Sequence, residues 1–417
     1  LSDVSITGHL SRVLSLITPG APVTLSLHEA VGTVLAADTH ARLAVPPFSN
    51  SGMDGYLINT ADLSAGGTAT LKVSGDVPAG GAALTPVRGE SVRIMTGAPV
   101  SDPVPEGLAV IPVEDTSSSP GPLDLPESID IHAFRGRAHI RLRGENVRPG
   151  DRVARAGELI DAGTLAGLIS AGVEQVSSFP RPRVAVLSSG DELVTSGTTP
   201  LPGQIPDSNR PMVAQLIREA GIKEVSELHT GDDPEEFWDV FSQVVESHDL
   251  VITTGGVSAG AFDVVKSAMG LGAAMWFGHV SMQPGKPQGA GTWARRDGSP
   301  VPVLCLPGNP VAAFVSFLMF VRAAVDKLVG LEVSPDLGSR PRTTATAAVD
   351  FPDARAKDLI VPVRLSWGEA GALATPFTQG GRGSHFVASL NGVDGFAIIP
   401  PGSSGPGEGE QIGVYLT

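Results

Sequence analysis

The sequence predicts a multidomain protein of α/β plus β class, with a central α/β domain built on a mostly parallel sheet and β-rich modules on either side of it. Three observations lead there. At 417 residues the chain exceeds one ordinary core, so two to four domains are expected. Between residues 181 and 330, short apolar strands alternate with amphipathic helical runs, the pattern of a parallel sheet whose ligands bind at the strand C-terminal ends. Residues 46–139 and 331–417 instead hold short apolar runs split by glycine and proline, of which the chain has 51 and 35, and read as small β modules.

Taken in order, Ile6, Leu10, Val13, Leu14 and Ile17 share one face of a helix over 5–17. A strand-like stretch follows, and Pro46-Pro47 interrupts it. Residues 140–180 are mixed, with a short helix over 164–171 ended by Gly172. Arg183 opens a buried strand over 183–187, followed by the turn Ser188-Ser189-Gly190-Asp191. A helix over 209–220 carries Pro211 early, buries Val213, Leu216, Ile217 and Ala220, and stops at Gly221. Asp233-Pro234-Glu235-Glu236 supplies an N-cap, a proline at the first helical position and a capping-box glutamate, ahead of the apolar face Phe237, Phe241, Val244 and Val245. The strand over 250–253 runs into Gly255-Gly256, and another strand over 301–306 contains Cys305. The apolar run 311–321 is too short to span a bilayer before Arg322 and reads as a buried helix.

Charge and composition narrow the function. Lys plus Arg is 29 against 44 for Asp plus Glu, a formal charge of −15 that argues against a nucleic-acid or anionic-membrane surface. A locally positive pocket for a small anion remains compatible with it. The single cysteine, Cys305, forms no intramolecular disulfide, suits a reducing cytoplasm and reads as core rather than nucleophile. The nine histidines contain no H-x-x-x-H or H-E-x-x-H pair, which disfavours a transition-metal cage. The sequence begins at Leu1 rather than Met, which is compatible with a trimmed leader.

Three segments carry chemistry. Ser49-Asn50-Ser51-Gly52-Met53-Asp54-Gly55-Tyr56 packs hydroxyls, an amide and a carboxylate around glycines, and suits either a phosphate or metal loop or a plain β-turn. Thr254-Gly255-Gly256-Val257-Ser258-Ala259-Gly260-Ala261-Phe262-Asp263 lies between a strand and a helix, where backbone N–H groups converge on an anion. Asp263 there can hold a cation on the phosphates or cap the following helix. The same stretch fits the G-x-S-x-G elbow of serine hydrolases, with Ser258 as nucleophile and His279 or His385 downstream. Gln283-Pro284-Gly285-Lys286-Pro287 and Leu306-Pro307-Gly308-Asn309-Pro310 form two rigid loops, and Lys286 offers charge to an oxyanion. Carboxylates beside such loops favour Mg²⁺, bound through one or two carboxylates and substrate phosphates.

In order along the chain, these segments resemble the molybdopterin molybdenumtransferase family (MoeA and the gephyrin E domain). The pieces are Pro47 through Tyr56, Ile94-Met95-Thr96-Gly97-Ala98-Pro99, Gly144-Glu145-Asn146-Val147-Arg148-Pro149-Gly150-Asp151, Ser189-Gly190-Asp191-Glu192-Leu193 and Asp207-Ser208-Asn209-Arg210. Gly255 through Gly260, Asp263, Pro284 through Pro287, Leu306 through Pro310 and Gly383-Ser384-His385 complete the set, which covers nearly the whole chain.

The resemblance implies an elongated homodimer. A discontinuous linking domain would comprise 1–45 and 140–180, with the β-rich domain 46–139 inserted. A MogA-like molybdopterin-binding α/β domain would span 181–330, and a β-barrel-like domain 331–417. It implies a cytoplasmic enzyme of molybdenum cofactor synthesis that inserts molybdate into adenylyl-molybdopterin and releases AMP, with other proteins of cofactor synthesis as further partners. The catalytic residues implied are Asp54, Thr96, Glu192, Asp232, Asp263 and Lys286. Asp54 and Thr96 would come from the partner subunit, and Glu192 and Asp263 would hold Mg²⁺ or another divalent cation. Substrate would be bound by Ser51, Gly255, Gly256, Ser258, Gly260, Pro284, Pro287, Pro307, Gly308, Asn309, Pro310 and Ser384.

The chain also departs from the family. Gln283 stands where a second lysine is common, Ala312 where a serine is, and no arginine falls within 359–363, although Arg355 and Arg364 are near. Residues 100–109 carry an extra Ser-Asp-Pro. The first three departures fall on the expected molybdate side. They motivate an alternative in which the fold binds pterin or a partner and inserts molybdate poorly. The serine hydrolase is the other alternative.

Overall fold

The computed structural model describes residues 3–121, 124–255, 274–369, 371–378 and 383–417. The chain divides into two compact units, one of Leu1–Val23 with Phe179–Thr417 and the other of Thr24–Ser178.

The first unit is built on a six-stranded sheet. Its order is Glu224–Thr230, Arg183–Ser189, Leu250–Thr254, Pro300–Leu306, Pro287–Ala294 and Ala274–His279. The first four strands are parallel, Pro287–Ala294 pairs antiparallel with the fourth, and Ala274–His279 pairs antiparallel with Pro287–Ala294. Central strands read as continuous apolar runs because helices cover both faces. On one face, Val184, Val186, Leu250, Ile252 and Leu304 share a core with the helix Asn209–Glu219 and with residues 311–328. On the other, Ala185, Leu187, Val251, Val303 and Cys305 pack against the helix Pro234–Ser247.

The helix expected over 5–17 forms as Ile6–Leu16, capped by the Ser5 hydroxyl on the Gly8 N–H at 3.0 Å. Its buried face of Ile6, Leu10, Val13 and Leu14 joins the α/β core. The apolar run 311–321 is more than a simple helix. It begins as Pro310–Ser316, widens into a π-helical turn over Phe317–Val321 and resumes as Arg322–Leu328. Two carbonyls of the widened turn, Leu318 and Met319, accept from the Arg340 guanidinium at 2.7 and 2.6 Å.

The C-terminal strands close a five-stranded barrel. Its order is Asp358–Gly368, Gly371–Pro376, Arg342–Ala347, Gln411–Leu416 and Gly395–Ile399, which pairs back to Asp358–Gly368. Ala345, Ala347, Leu359, Val361, Val363, Ala374, Ala397 and Val414 fill it. Met282–Gln283 adds to the barrel beside Asp358–Leu359 in parallel register, so the loop carrying Lys286 is sewn to the barrel.

The second unit centres on a five-stranded sheet ordered Leu108–Pro112, Gly55–Asn59, Glu90–Ile94, Ala69–Val77 and Ser128–Ile131. Beside it, the helix Ala162–Ser170, capped by Asp161, packs Leu168 against Leu27, Leu35 and Ile160. Among the described residues, no helix is long and apolar enough to cross a membrane.

Candidate active site

Within the first unit, several of the expected residues lie in loops that follow the parallel strands. Strand Arg183–Ser189 leaves the sheet at Gly190, whose N–H donates to the Thr230 carbonyl of the neighbouring strand at 3.1 Å. Asp191 and Asp232 then clasp each other reciprocally. The Asp232 N–H donates to one carboxylate at 3.1 Å, and the Asp191 N–H donates to the other at 3.4 Å. Each carboxylate thus accepts from the other residue's backbone, and both residues are exposed. Glu192 lies over Gly190, where any side chain would collide with its carboxylate. Asp233 is the N-cap of Pro234–Ser247, accepting from the Glu235 N–H at 2.9 Å.

A second group of loops meets one strand further along. Gly255 has a φ of 91°, open only to glycine at low cost, and its N–H donates to Leu306 O at 3.1 Å. A Cβ on Gly308 would lie only 3.6 Å from the Gly255 α-carbon, so the 307–310 loop runs directly against it. The Asn209 side-chain amide donates to Gly308 O at 2.6 Å and ties that loop to the start of its own helix. Pro310 opens the next helix after Asn309, and the Val311 N–H donates to Ser384 O at 3.1 Å. Gly255, Gly308, Asn309, Pro310 and Ser384 are therefore brought together. Gly256, Ser258, Gly260 and Asp263 lie outside the described residues.

Beneath these loops lies a buried polar network. The Ser188 hydroxyl donates to the Asp207 carboxylate at 2.7 Å and sits 3.1 Å from His229 Nδ1. Arg210 pairs with Asp207 at 3.4 Å. Asp207 is 5% exposed and Ser188 fully buried, so this network braces the start of helix Asn209–Glu219 rather than meeting solvent.

Lys286 is exposed on the loop between the two antiparallel strands. Its carbonyl accepts from the Val280 N–H at 2.8 Å, and Pro287 begins the next strand. Gly285 takes a φ of 95°. Its carbonyl accepts from the buried Gln288 amide at 2.8 Å, which also donates to the Ser316 hydroxyl at 2.6 Å. Ser316 donates in turn to Ala312 O at 2.7 Å. Arg364, one of the two arginines near the missing family arginine, is committed elsewhere: its guanidinium donates to the carbonyls of Asn391, Phe377 and Ser389.

In the second unit the two expected residues meet each other. The Asp54 carboxylate accepts from the Thr96 N–H at 2.6 Å, a charge-assisted bond that fixes both exposed loops. Ser51 is fully buried and spends its hydroxyl on Met53 O at 2.6 Å, so it shapes the turn that presents Asp54. A cleft of about 500 Å³ opens beside them, walled by Met53, Met95 and Tyr56 and by the 2.6 Å ion pair of Arg93 with Asp76.

The sequence reading singled out neither Asn209, Gln288 nor Ser316 as site residues. Asn209 sits in the polar run Asp207 through Arg210, which was its available signal. Gln288 and Ser316 are lone polar residues within apolar stretches, and only packing reveals their partners. Among the described residues, no three His, Cys, Asp or Glu side chains are grouped to hold a metal.

Comparison with known proteins places these residues in context. Residues 4–172 match the family described as MoeA N-terminal region (domain I and II), and 344–417 match MoeA C-terminal region (domain IV). Residues 185–327 match a probable molybdopterin binding domain. Molybdopterin molybdenumtransferase 2 of Mycobacterium tuberculosis is 36% identical over 429 aligned positions, covering 99% of both chains. Molybdopterin molybdenumtransferase of Staphylococcus aureus is 31% identical, covering 100% of this chain and 96% of its own. A crystal structure of the molybdopterin biosynthesis MoeA protein of Pyrococcus horikoshii superimposes with a TM-score of 0.74 at 27% identity, over 100% of this chain and 99% of that one. Another crystal structure, of a molybdopterin biosynthesis MoeA protein from Pyrococcus horikoshii OT3, has the same fold, with a TM-score of 0.78 at 24% identity over the whole of both chains.

Proposed function

Since the chain belongs to the MoeA family of molybdopterin molybdenumtransferases, enzymes of molybdenum cofactor biosynthesis, we propose that it inserts molybdate into an adenylated molybdopterin and releases AMP. The observation that carries this reading is the full-length likeness to named transferases. The meeting of the Gly255, 307–310 and Ser384 loops at the strand ends supports it. The hydrolase alternative finds no support among those relatives.

The chemistry required of this chain is mostly positioning and charge. Lys286 supplies a cation for an incoming oxyanion, and the 307–310 loop, held by Asn209 and backed by Gly255, shapes the pocket wall. Glu192 and Asp263 would hold a divalent cation such as Mg²⁺, which neutralises phosphate charge when bound. Carboxylate oxygens are the donors a hard cation prefers; of the two, Glu192 is exposed beyond the strand Arg183–Ser189 and Asp263 lies outside the described residues. Asp232 steadies the loop of Glu192 through Asp191. Water attacks the phosphoanhydride and AMP leaves, while molybdate takes the two dithiolene sulfurs and gives up one oxygen as water with the two thiol protons.

Asp54 and Thr96 act in this reading on the site of a second chain, so the working form is a homodimer. The test is AMP release from adenylated molybdopterin on addition of molybdate, followed by chromatography, with sedimentation run in parallel. Absence of molybdate-dependent AMP would sink the transferase reading and favour a binding paralogue. Full activity in a monomer would refute the role given to Asp54 and Thr96 across subunits.

A further inference from the structure

Gln283, three residues before Lys286, is uncharged, yet a second lysine is held against the same loop. Lys357 immediately precedes the barrel strand Asp358–Gly368, whose first residues pair in parallel with Met282–Gln283. The Asp358 N–H also donates to Ser281 O at 3.3 Å, so position 357 is held against the loop that continues to Lys286. Arg364 is consumed by three carbonyls and does not compete for this place.

Lys357 has a carboxylate as its partner. Its ammonium is ion-paired with Asp3 at 2.5 Å, and His279 Nδ1 lies 3.7 Å from the same carboxylate. The backbone holds Asp3 in position. The Val4 N–H donates to His279 O, and Val4 O accepts from the Ser281 N–H, both at 2.8 Å. The Asp3 carboxyl lies below its usual range, chiefly through its bond to Lys357, with smaller contributions from Lys286 and His279. One carboxylate thus sits within the field of two lysines and a histidine.

We infer that Lys357 joins Lys286 as the second cation of the oxyanion subsite, and that Asp3 is a built-in counter-ion which a tetrahedral dianion must displace. This rests on the transferase reading above for its choice of molybdate as the ligand. The physical argument is charge balance. With Asp3 in place the cluster carries one net positive charge from its lysines; with Asp3 displaced or neutral it carries two. Lys357 and Asp3 are both partly solvated, so the competition is modest and screened by salt.

The test is calorimetric titration of the full chain with sodium molybdate at low ionic strength, with no pterin present. Asp3→Asn should tighten molybdate binding about two- to fivefold, and Lys357→Gln should weaken it by a similar factor. The double variant should bind molybdate about as tightly as the wild type, because removing one lysine and its counter-ion together restores one net positive charge. No gain in Asp3→Asn, or a double variant as tight as Asp3→Asn alone, would overturn the inference. A parallel titration with AMP separates a free oxyanion from a nucleotide phosphate. If Asp3→Asn tightens AMP and leaves molybdate unchanged, the lysines serve the phosphate and the inference fails. Molybdate responses as described in a protein that releases no AMP would sustain this subsite while refuting the proposed reaction.

Discussion

Replacing Gln288 by leucine should loosen the Lys286 loop while leaving the sheet intact. Gln288 is 1% exposed, and its amide donates to Gly285 O at 2.8 Å and to the Ser316 hydroxyl at 2.6 Å. Leucine is close in volume, so little cavity results, but both donors vanish. Ser316 keeps its bond to Ala312 O, whereas Gly285 O loses its side-chain donor. A buried carbonyl left unpaired costs about 1–3 kcal/mol and a lost neutral hydrogen bond about 0.5–1.5 kcal/mol, which together give roughly 2–4 kcal/mol. Urea unfolding reads that loss. Lys286 follows Gly285 directly and keeps only its backbone anchor to Val280, so the molybdate concentration for half-maximal AMP release should rise about tenfold or more. Ser316→Ala is the control: it removes one acceptor of the Gln288 amide and leaves the bond to Gly285. It should cost about 1–2 kcal/mol and barely move the molybdate response. A leucine variant with a wild-type molybdate response, or equal damage from both variants, would refute the claim that Gln288 positions Lys286.

Four further outcomes are expected. Asp263→Asn should lower AMP release by about 10²–10³. Asp233→Asn should do little, because asparagine also caps the Pro234–Ser247 helix, and equal losses would show that the two carboxylates have been misassigned. Arg340→Met should cost about 2–4 kcal/mol in urea unfolding by stranding the Leu318 and Met319 carbonyls of the π turn, and a loss below about 0.5 kcal/mol would disprove that role. His9 is buried between Trp276 and Phe320, and burial foremost, with Arg12 adding to it, lowers its pKa from 6.5 to about 3. The unfolded chain binds this proton below pH 6.5 and the native state does not. The stabilisation is therefore complete above that pH and is lost as pH falls, at roughly 1.4 kcal/mol per pH unit. His9→Phe should flatten stability between pH 6.5 and about 5, and an unchanged slope would assign the acid sensitivity to other groups.

Much of the fold was legible because its signals are local. The apolar period of Ile6, Leu10, Val13 and Leu14, the Asp233-Pro234 start and the apolar runs within the strands Arg183–Ser189, Leu250–Thr254 and Pro300–Leu306 depend on neighbours in the chain. The site was legible as loops: Gly255 with its positive φ, the 307–310 turn and the Lys286 loop are each written in a few consecutive residues. The Asp54–Thr96 bond joins two such loops far apart in sequence, and only their order along the chain hinted at it.

What the sequence by itself determined is therefore element type, the parallel α/β core and the family, since periodicity, turn chemistry and ordered motifs all act over short spans. The tertiary structure alone decided the rest. The helix Ile6–Leu16 buries its apolar face in the α/β core, and only folding showed this, because an amphipathic face specifies that it must be covered and not by what. The π turn at Phe317–Val321 exists where Arg340, distant in sequence, satisfies its free carbonyls. Gln288 gained a purpose only when folding set Gly285 and Ser316 against it, and Lys357 when the barrel strand paired with Met282–Gln283. Contacts between residues far apart in the chain leave no period to read, since each depends on which surfaces the whole core brings together.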